Sequence, residues 1–416
     1  MTPPGSPASF DEAAPVGRWL AIIGVGEDGV EGLSPAALRA VAGAGAVFGG
    51  RRHLRLLEGT IRGEAVAWPS PIRDAIPRIA ALRGTPVAVL ASGDPFHHGI
   101  GSVLAETIPA AEMAVHPAPS AFALAAGRMG WAVQDAALVS LCGHPVETLV
   151  PLLQPGRRLL VLSADETTPR SVAQLLTAHG FGESRIAILE SLGGPSERVR
   201  ECRVADFDIA DAGRLNTLAI TVAAAPGARV VPLGAGLPDA LFETDGMLTK
   251  REIRAVTLSS LAPRAGELLW DIGAGAGSVA IEWLLAHKAN RAVAIERRAD
   301  RAMRARENAA ALGVPHLEVV SGEAPAALVG LPPPDAAFVG GGIAGGAMEA
   351  AWRALPPGGR LVANAVTLEG ELALGGFARE TGGALTRLSV ERLDRIGTMP
   401  GFRPALTVTQ LRVVKP

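Results

Sequence analysis

Residues 270–278 read WDIGAGAGS, an apolar run that ends in a carboxylate, Asp271, and three alternating glycines, Gly273, Gly275 and Gly277, separated by Ala274 and Ala276. A strand that empties into such a loop lets backbone amides approach a ligand closely. The stretch SVAIEWLLAH that follows reads as a helix whose first amides point at the same place. The dinucleotide fingerprint GxGxxG would need glycine at 278, where Ser278 stands. Glu296 ends the next apolar run, RAVAIE, placed to accept hydrogen bonds from ribose hydroxyls. The set admits either NAD or S-adenosylmethionine. Two features favour the methyl donor. Asp271 puts negative charge where the donor's ammonium would lie and where a pyrophosphate would be repelled, and SGEAPAAL at 321–328 offers Glu323 and Ala324 to an adenine. Each has a plainer alternative: Asp271 ties down loop amides, Glu296 is a solvated strand end, and the glycines make a tight turn.

A second glycine-bearing strand end lies near the start of the chain. LAIIGVGEDG at 20–29 carries Gly24 and Gly26, and LASGDPFHHGIGS at 90–102 carries Gly93 and Asp94. Two such loops in one α/β domain suggest a ligand along the sheet edge. His97 and His98 are adjacent on one loop and lack further ligands nearby in sequence, so no metal is expected.

The elements that must position these loops are legible as two α/β arrays. From Trp19 to about Ala225, WLAIIGVG, PVAVLAS, RRLLVLS, SRIAILE and NTLAITVAAA read as strands. Ser34 before Pro35, Thr168 before Pro169, and Ser120 after Pro119 mark helix starts, with Gly130 and Gly180 as stops. AAAPGARVVPLGAGLPD at 223–239 lacks helical period. It places a linker at 227–240 between domains 18–226 and 241–416, behind a disordered tail at 1–17. In the second domain GELLWDIG, RAVAIE, HLEVVSG, DAAFVGG and GRLVANAV suit a parallel sheet, and ALTRLSVERLDR and PALTVTQLRVV an antiparallel edge. Thr249 and Glu252 form S/T-x-x-E, a capping box for a helix continuing through Ile253, Val256 and Ser260/Leu261.

Composition narrows the function. With 416 residues, 19% charged and a formal net charge of -2, the chain lacks the basic field that nucleic-acid or membrane-surface binding needs. The opening MTPPGSPASFDEAAP has neither the basic start nor the apolar core of a signal peptide. No later stretch is long and apolar enough to span a membrane. Cys142 and Cys202 are too far apart for a metal motif, and a reducing cytoplasm fits best. Only Lys250, Lys288 and Lys415 are lysines, so the basic residues are nearly all arginine, which grips carboxylates with two parallel hydrogen bonds.

IIGVGEDG, GGRRHL, ASGDPFHHGIGS and PAPSAFALAAGRMGW resemble the tetrapyrrole (uroporphyrin-III C/corrin) methyltransferase family, in its C5 branch. FETDGMLTKREIRAV, WDIGAGAGSVAIEW, VAIERRADRAMRARENAAALG, VVSGEAPAAL and VGGG resemble the decarboxylating precorrin C15-methyltransferases. The resemblance implies a two-subdomain tetrapyrrole-methylase α/β fold followed by a Rossmann-like class I methyltransferase. It implies one S-adenosylmethionine site in each. The reaction implied is methylation of precorrin-6Y at C5 and C15 with loss of the ring C (C12) acetate carboxyl, giving precorrin-8 for cobalamin. Carried over, Thr249, the run Gly273 to Gly277, Glu296 and Ala324 would hold one donor. Gly24, Gly26, Gly93, Asp94 and the Ser120 region would hold the other. Asp245, Lys250 and Arg251 would handle substrate carboxylates, and a homo-oligomer is expected. The alternatives are an NAD-dependent oxidoreductase and a non-catalytic sensor of the donor or of a corrinoid.

Overall fold

The computed structural model describes residues 17–416, so the tail expected at 1–17 lies, Gly17 apart, outside the described residues. The chain divides into two compact units, one of residues 17–144 and 156–223, the other of 145–155 and 224–416.

The first unit holds two sheets. β1 (Leu20–Val25), β2 (Ala46–Gly49), β3 (Glu64–Ala67), β4 (Val87–Ser92) and β5 (Met113–His116) form an all-parallel sheet in the order β3-β2-β4-β1-β5. β1 and β4 are buried almost throughout, which is why they stand out as apolar runs, while the other three have only four residues each. β6 (Ala136–Ser140), β7 (Arg158–Leu162), β8 (Arg185–Glu190), β9 (Arg198–Arg203) and β10 (Asn216–Thr221) form the second sheet, where only β6 and β7 run parallel. Ser34 and Ser120 cap their helices as expected, each accepting from the amide three residues on at 3.2 Å. Thr168 departs from expectation. It is the first residue of helix Thr168–Ala178, with Thr167 at the cap, and its hydroxyl accepts from the amides of Ala164 and Asp165 instead.

The second unit is built on β11 (Leu268–Ile272), β12 (Arg291–Glu296), β13 (Glu318–Ser321), β14 (Ala336–Val339), β15 (Arg360–Ala365), β16 (Ala384–Leu388) and a strand near the C-terminus. Between β16 and that strand, β17 (Glu391–Ile396) and β18 (Met399–Pro404) pair as a separate hairpin, so ALTRLSVERLDR is two strands and not one. β19 (Val408–Val414) then inserts antiparallel between β15 and β16, giving the order β13-β12-β11-β14-β15-β19-β16. The first five of these are parallel, and their C-terminal ends line up the loops 273–277, 322–324 and 340–342 along one edge.

The Pro/Gly-rich stretch ahead of this sheet is fastened down. Buried Glu282 accepts from the amides of Gly236 and Leu237 at 2.7 and 2.9 Å and from Arg254 Nε at 2.5 Å. The guanidinium of fully buried Arg254 also donates to the carbonyl oxygens of Leu237 and Thr249. Arg254 thereby ties the approach segment to helix Arg251–Leu261. The expected capping box is absent: Lys250 holds the cap position, and Glu252 pairs with Arg392. Val256 lies outside the buried face at 38% exposure, and the helix buries Ile253, Arg254, Thr257, Leu258 and Leu261.

Candidate active site

Gly273, Gly275 and Gly277 all take left-handed φ angles of 75°, 56° and 77°, which only glycine adopts without strain. Gly273 has a second constraint, since a Cβ there would lie 2.8 Å from the amide nitrogen of Gly341. Two glycine loops, after β11 and β14, therefore touch backbone to backbone. Glu296 fixes the first of them. Its Oε2 accepts from the Gly275 amide at 2.9 Å and its Oε1 from the Arg298 amide at 2.9 Å, leaving lone pairs for a ligand.

Asp271 corrects an expectation. It is buried beneath the loop and absent from the cavity wall, and its Oδ2 accepts from the Ala280 amide at 2.9 Å, satisfying the N-terminus of helix Ser278–Ala286. Burial pushes its carboxyl up to about 7, and the neighbouring Glu296 charge adds to this. The amide that Asp271 holds belongs to the helix and not to the glycine loop of the plainer reading.

A cavity of about 720 Å³ opens above the loops. Thr249, Gly273, Ala274, Gly275, Ala276, Glu296, Glu323 and Ala324 line it, and Gly277 does not. Lys250 also lines it, whereas Asp245 and Arg251 do not. Asp245 accepts from Arg301 Nε at 2.8 Å, and this hydrogen bond holds its carboxyl below the ordinary aspartate range. Its contribution is to orient Arg301, which does reach the wall. Arg297, Arg392 and Asn364 are further wall residues that the sequence reading passed over.

In the first unit Gly24, Gly93 and Ser120 converge where β1 and β4 end. The Gly93 amide donates to the Val25 carbonyl at 3.1 Å, and the Gly93 carbonyl accepts from Ala118 at 3.3 Å. A Cβ on Gly24 would overlap that Gly93 carbonyl, and one on Gly93 (φ 56°) would lie 2.8 Å from the Pro119 carbonyl. Gly26 gives room to the Asp28 carboxylate, and Asp94 Oδ1 accepts from the Phe96 amide at 2.8 Å. Beside them, buried His53 meets Ser92 Oγ at 3.1 Å and Arg52 Nη2 at 2.8 Å, and burial pulls its imidazole down to about 4. His97 stacks on His98 at 5.4 Å and tilts against Phe122 at 4.8 Å. Among the described residues no group of three or more His, Cys, Asp or Glu is placed to hold a metal ion.

Two family models divide the chain as these sites do: tetrapyrrole (corrin/porphyrin) methylases match residues 20–208 and the precorrin methyltransferase domain matches 240–415. A precorrin-6Y C(5,15)-methyltransferase [decarboxylating] from Sinorhizobium sp is 53% identical over 97% of this chain and 98% of its own length. The chain belongs to the decarboxylating precorrin-6Y C(5,15)-methyltransferase family. A family member from Mycobacterium tuberculosis is 40% identical over 95% of this chain and 100% of its own. A shorter relative from Salmonella typhimurium, named cobalt-precorrin-7 C(5)-methyltransferase, is 32% identical over 43% of this chain and 88% of its own. Membership makes the chain an S-adenosylmethionine-dependent C-methyltransferase acting on a tetrapyrrole.

Proposed function

We propose that this chain methylates precorrin-6Y at C5 in residues 18–226 and at C15 in residues 241–416. The second site also removes the ring C acetate carboxyl, giving precorrin-8. The observation that carries the C15 half is the glycine-walled cavity with Glu296 anchored at its edge. The glycine crossing of Gly24 and Gly93 supports a separate donor site in the first unit. A relative less than half this length that carries only C5 methylation in its name supports separable activities.

The donor supplies a methyl group on a sulfonium when bound. Glu296 would receive its ribose hydroxyls, with Glu323 and Ala324 toward the adenine. Thr249 and the 273–277 backbone would flank the remainder. The chain's task in the transfer is alignment and exclusion of water, because an electron-rich macrocycle is its own nucleophile. Decarboxylation needs an electron sink, which a conjugated tetrapyrrole with a protonatable imine provides. Lys250, Arg297, Arg301 and Arg392 bring cations to the cavity wall, the three arginines paired with Glu323, Asp245 and Glu252, and such a wall suits the carboxylates of a tetrapyrrole.

We place the protein in the cytoplasm, with no nucleic-acid partner. Both cysteines are free thiols, and no helix among the described residues is long and apolar enough to cross a membrane. A homo-oligomer is supported by the hairpin pair Leu393 and Phe402, which face each other across β17 and β18 while 65% and 66% exposed. Equilibrium dialysis of the intact chain against S-adenosylmethionine tests the site count: two donors bound per chain are expected, and one would refute the assignment. The intact chain is needed because Pro145–Pro155 packs with the second unit, where Gln154 Nε2 donates to the Val231 carbonyl at 2.8 Å.

A further inference from the structure

Below the C15 cavity runs a chain of polar side chains that the donor site does not explain. Thr257, fully buried on helix Arg251–Leu261, donates its hydroxyl proton to the Ile253 carbonyl at 2.8 Å. With that proton used, Thr257 Oγ1 can only accept, and it lies 2.9 Å from Asn364 Nδ2 and 3.2 Å from Gln410 Nε2. Gln410, buried on β19 opposite Asn364 in the register, gives its other hydrogen to Asn364 Oδ1 at 2.9 Å and accepts from Ser260 at 2.7 Å.

One backbone carbonyl therefore sets the polarity of the whole chain. A flipped Asn364 amide would put oxygen against the Thr257 oxygen with no proton between them, and an NH2 against the NH2 of Gln410. Both clashes would fall on Thr257 and Gln410, which are buried from water and so find no other partner, and unpaired polar groups there are costly. Asn364 is half-buried and lines the cavity beside the Gly340–Gly342 loop, and one of its Nδ2 hydrogens has no role in this chain. The side chain is thus held as a hydrogen-bond donor, uncharged, on a wall that also carries Lys250 and Arg392.

We propose that Asn364 is a substrate-binding residue of the C15 site, donating its remaining N–H to a carboxylate oxygen of the tetrapyrrole, and that Thr257 and Gln410 are the positioning residues that hold it in that sense. The proposal rests on the methyltransferase reading above. A neutral donor orients a carboxylate without pinning its charge as a guanidinium does. That suits a site from which one carboxylate must leave as carbon dioxide.

The test uses the full chain, with carbon dioxide release from precorrin-6Y as the rate and calorimetric titration of S-adenosylmethionine as the check on folding. Asn364→Asp keeps the shape but exchanges the donor for a negative charge. It should raise KM for precorrin-6Y roughly 10- to 100-fold with donor affinity unchanged. Thr257→Val frees the amide to turn and should shift KM in the same direction, whereas Thr257→Ser, which keeps the hydroxyl, should restore the wild-type KM. An unchanged KM in Asn364→Asp would overturn the proposal, as would equal impairment of the Val and Ser variants at Thr257. A wild-type chain that binds the donor yet releases no carbon dioxide would instead overturn the parent reading and this proposal with it.

Discussion

The Glu296 carboxylate accepts the Gly275 amide proton at 2.9 Å, so the acidic end of β12 and the glycine loop after β11 are one mechanical unit. Replacing Glu296 by Gln leaves one oxygen for two backbone amides, those of Gly275 and Arg298. Donor affinity at the C15 site should fall at least about tenfold. Calorimetry should show the affected site weakened and the other unchanged.

The pH dependence has two opposed components. Asp271 is raised to about 7, so the folded state holds its proton between the unfolded value near 4 and about 7 while the unfolded chain does not. Its contribution is fully present below about 4 and is lost as pH rises through 7. Asp271→Asn should flatten that part of the denaturation profile of the second unit. His53 is lowered to about 4, so the unfolded chain binds the extra proton and stability is lost as pH falls from about 6.5 toward 4. His53→Gln should remove that loss, read as urea midpoints across the same range.

Gly93→Ala forces a side chain into a left-handed conformation and to 2.8 Å from the Pro119 carbonyl. The strain is roughly 1–2 kcal/mol before any clash is counted. The crossing with Gly24 should splay, and the variant should yield a product that has lost carbon dioxide and gained a single methyl group, read by mass spectrometry.

The parts of the site differ in how legible they are in the amino-acid sequence. The glycine loop and Glu296 are legible because their roles are local: a strand end, a required φ and a short spacing all appear in one stretch. Asp271 was legible as a residue that matters but not in its direction, since only the fold shows its carboxylate turned under the loop to Ala280. Asn364, Arg301 and Arg392 were missed because strands and helices distant in sequence bring them to the wall. The helix after Lys250 was misread for a related reason: its buried face includes Arg254 and Thr257, polar residues that disguise an interior stripe. The hairpin β17–β18 interrupts the expected edge pair because its strands are exposed, apolar residues such as Leu393 and Phe402 included, and carry no core-facing alternation.

Arg254 makes a further prediction. It is fully buried, with Glu282 at 2.5 Å, so Arg254→Met strands a buried carboxylate and the Leu237 and Thr249 carbonyls. The second unit should lose about 3–5 kcal/mol of stability in chemical denaturation. Activity at the C15 site should fall with it, because Thr249 lines the cavity.

The most direct measurement is the mass of the tetrapyrrole formed from precorrin-6Y by the intact chain with S-adenosylmethionine deuterated in its methyl group. Two labelled methyl groups gained and one carbon dioxide lost are predicted. Glu296→Ala should give one labelled methyl and no loss of carbon dioxide. Failure of the wild-type chain to transfer any label, or loss of both methylations together in Glu296→Ala, would contradict two donor sites serving one macrocycle.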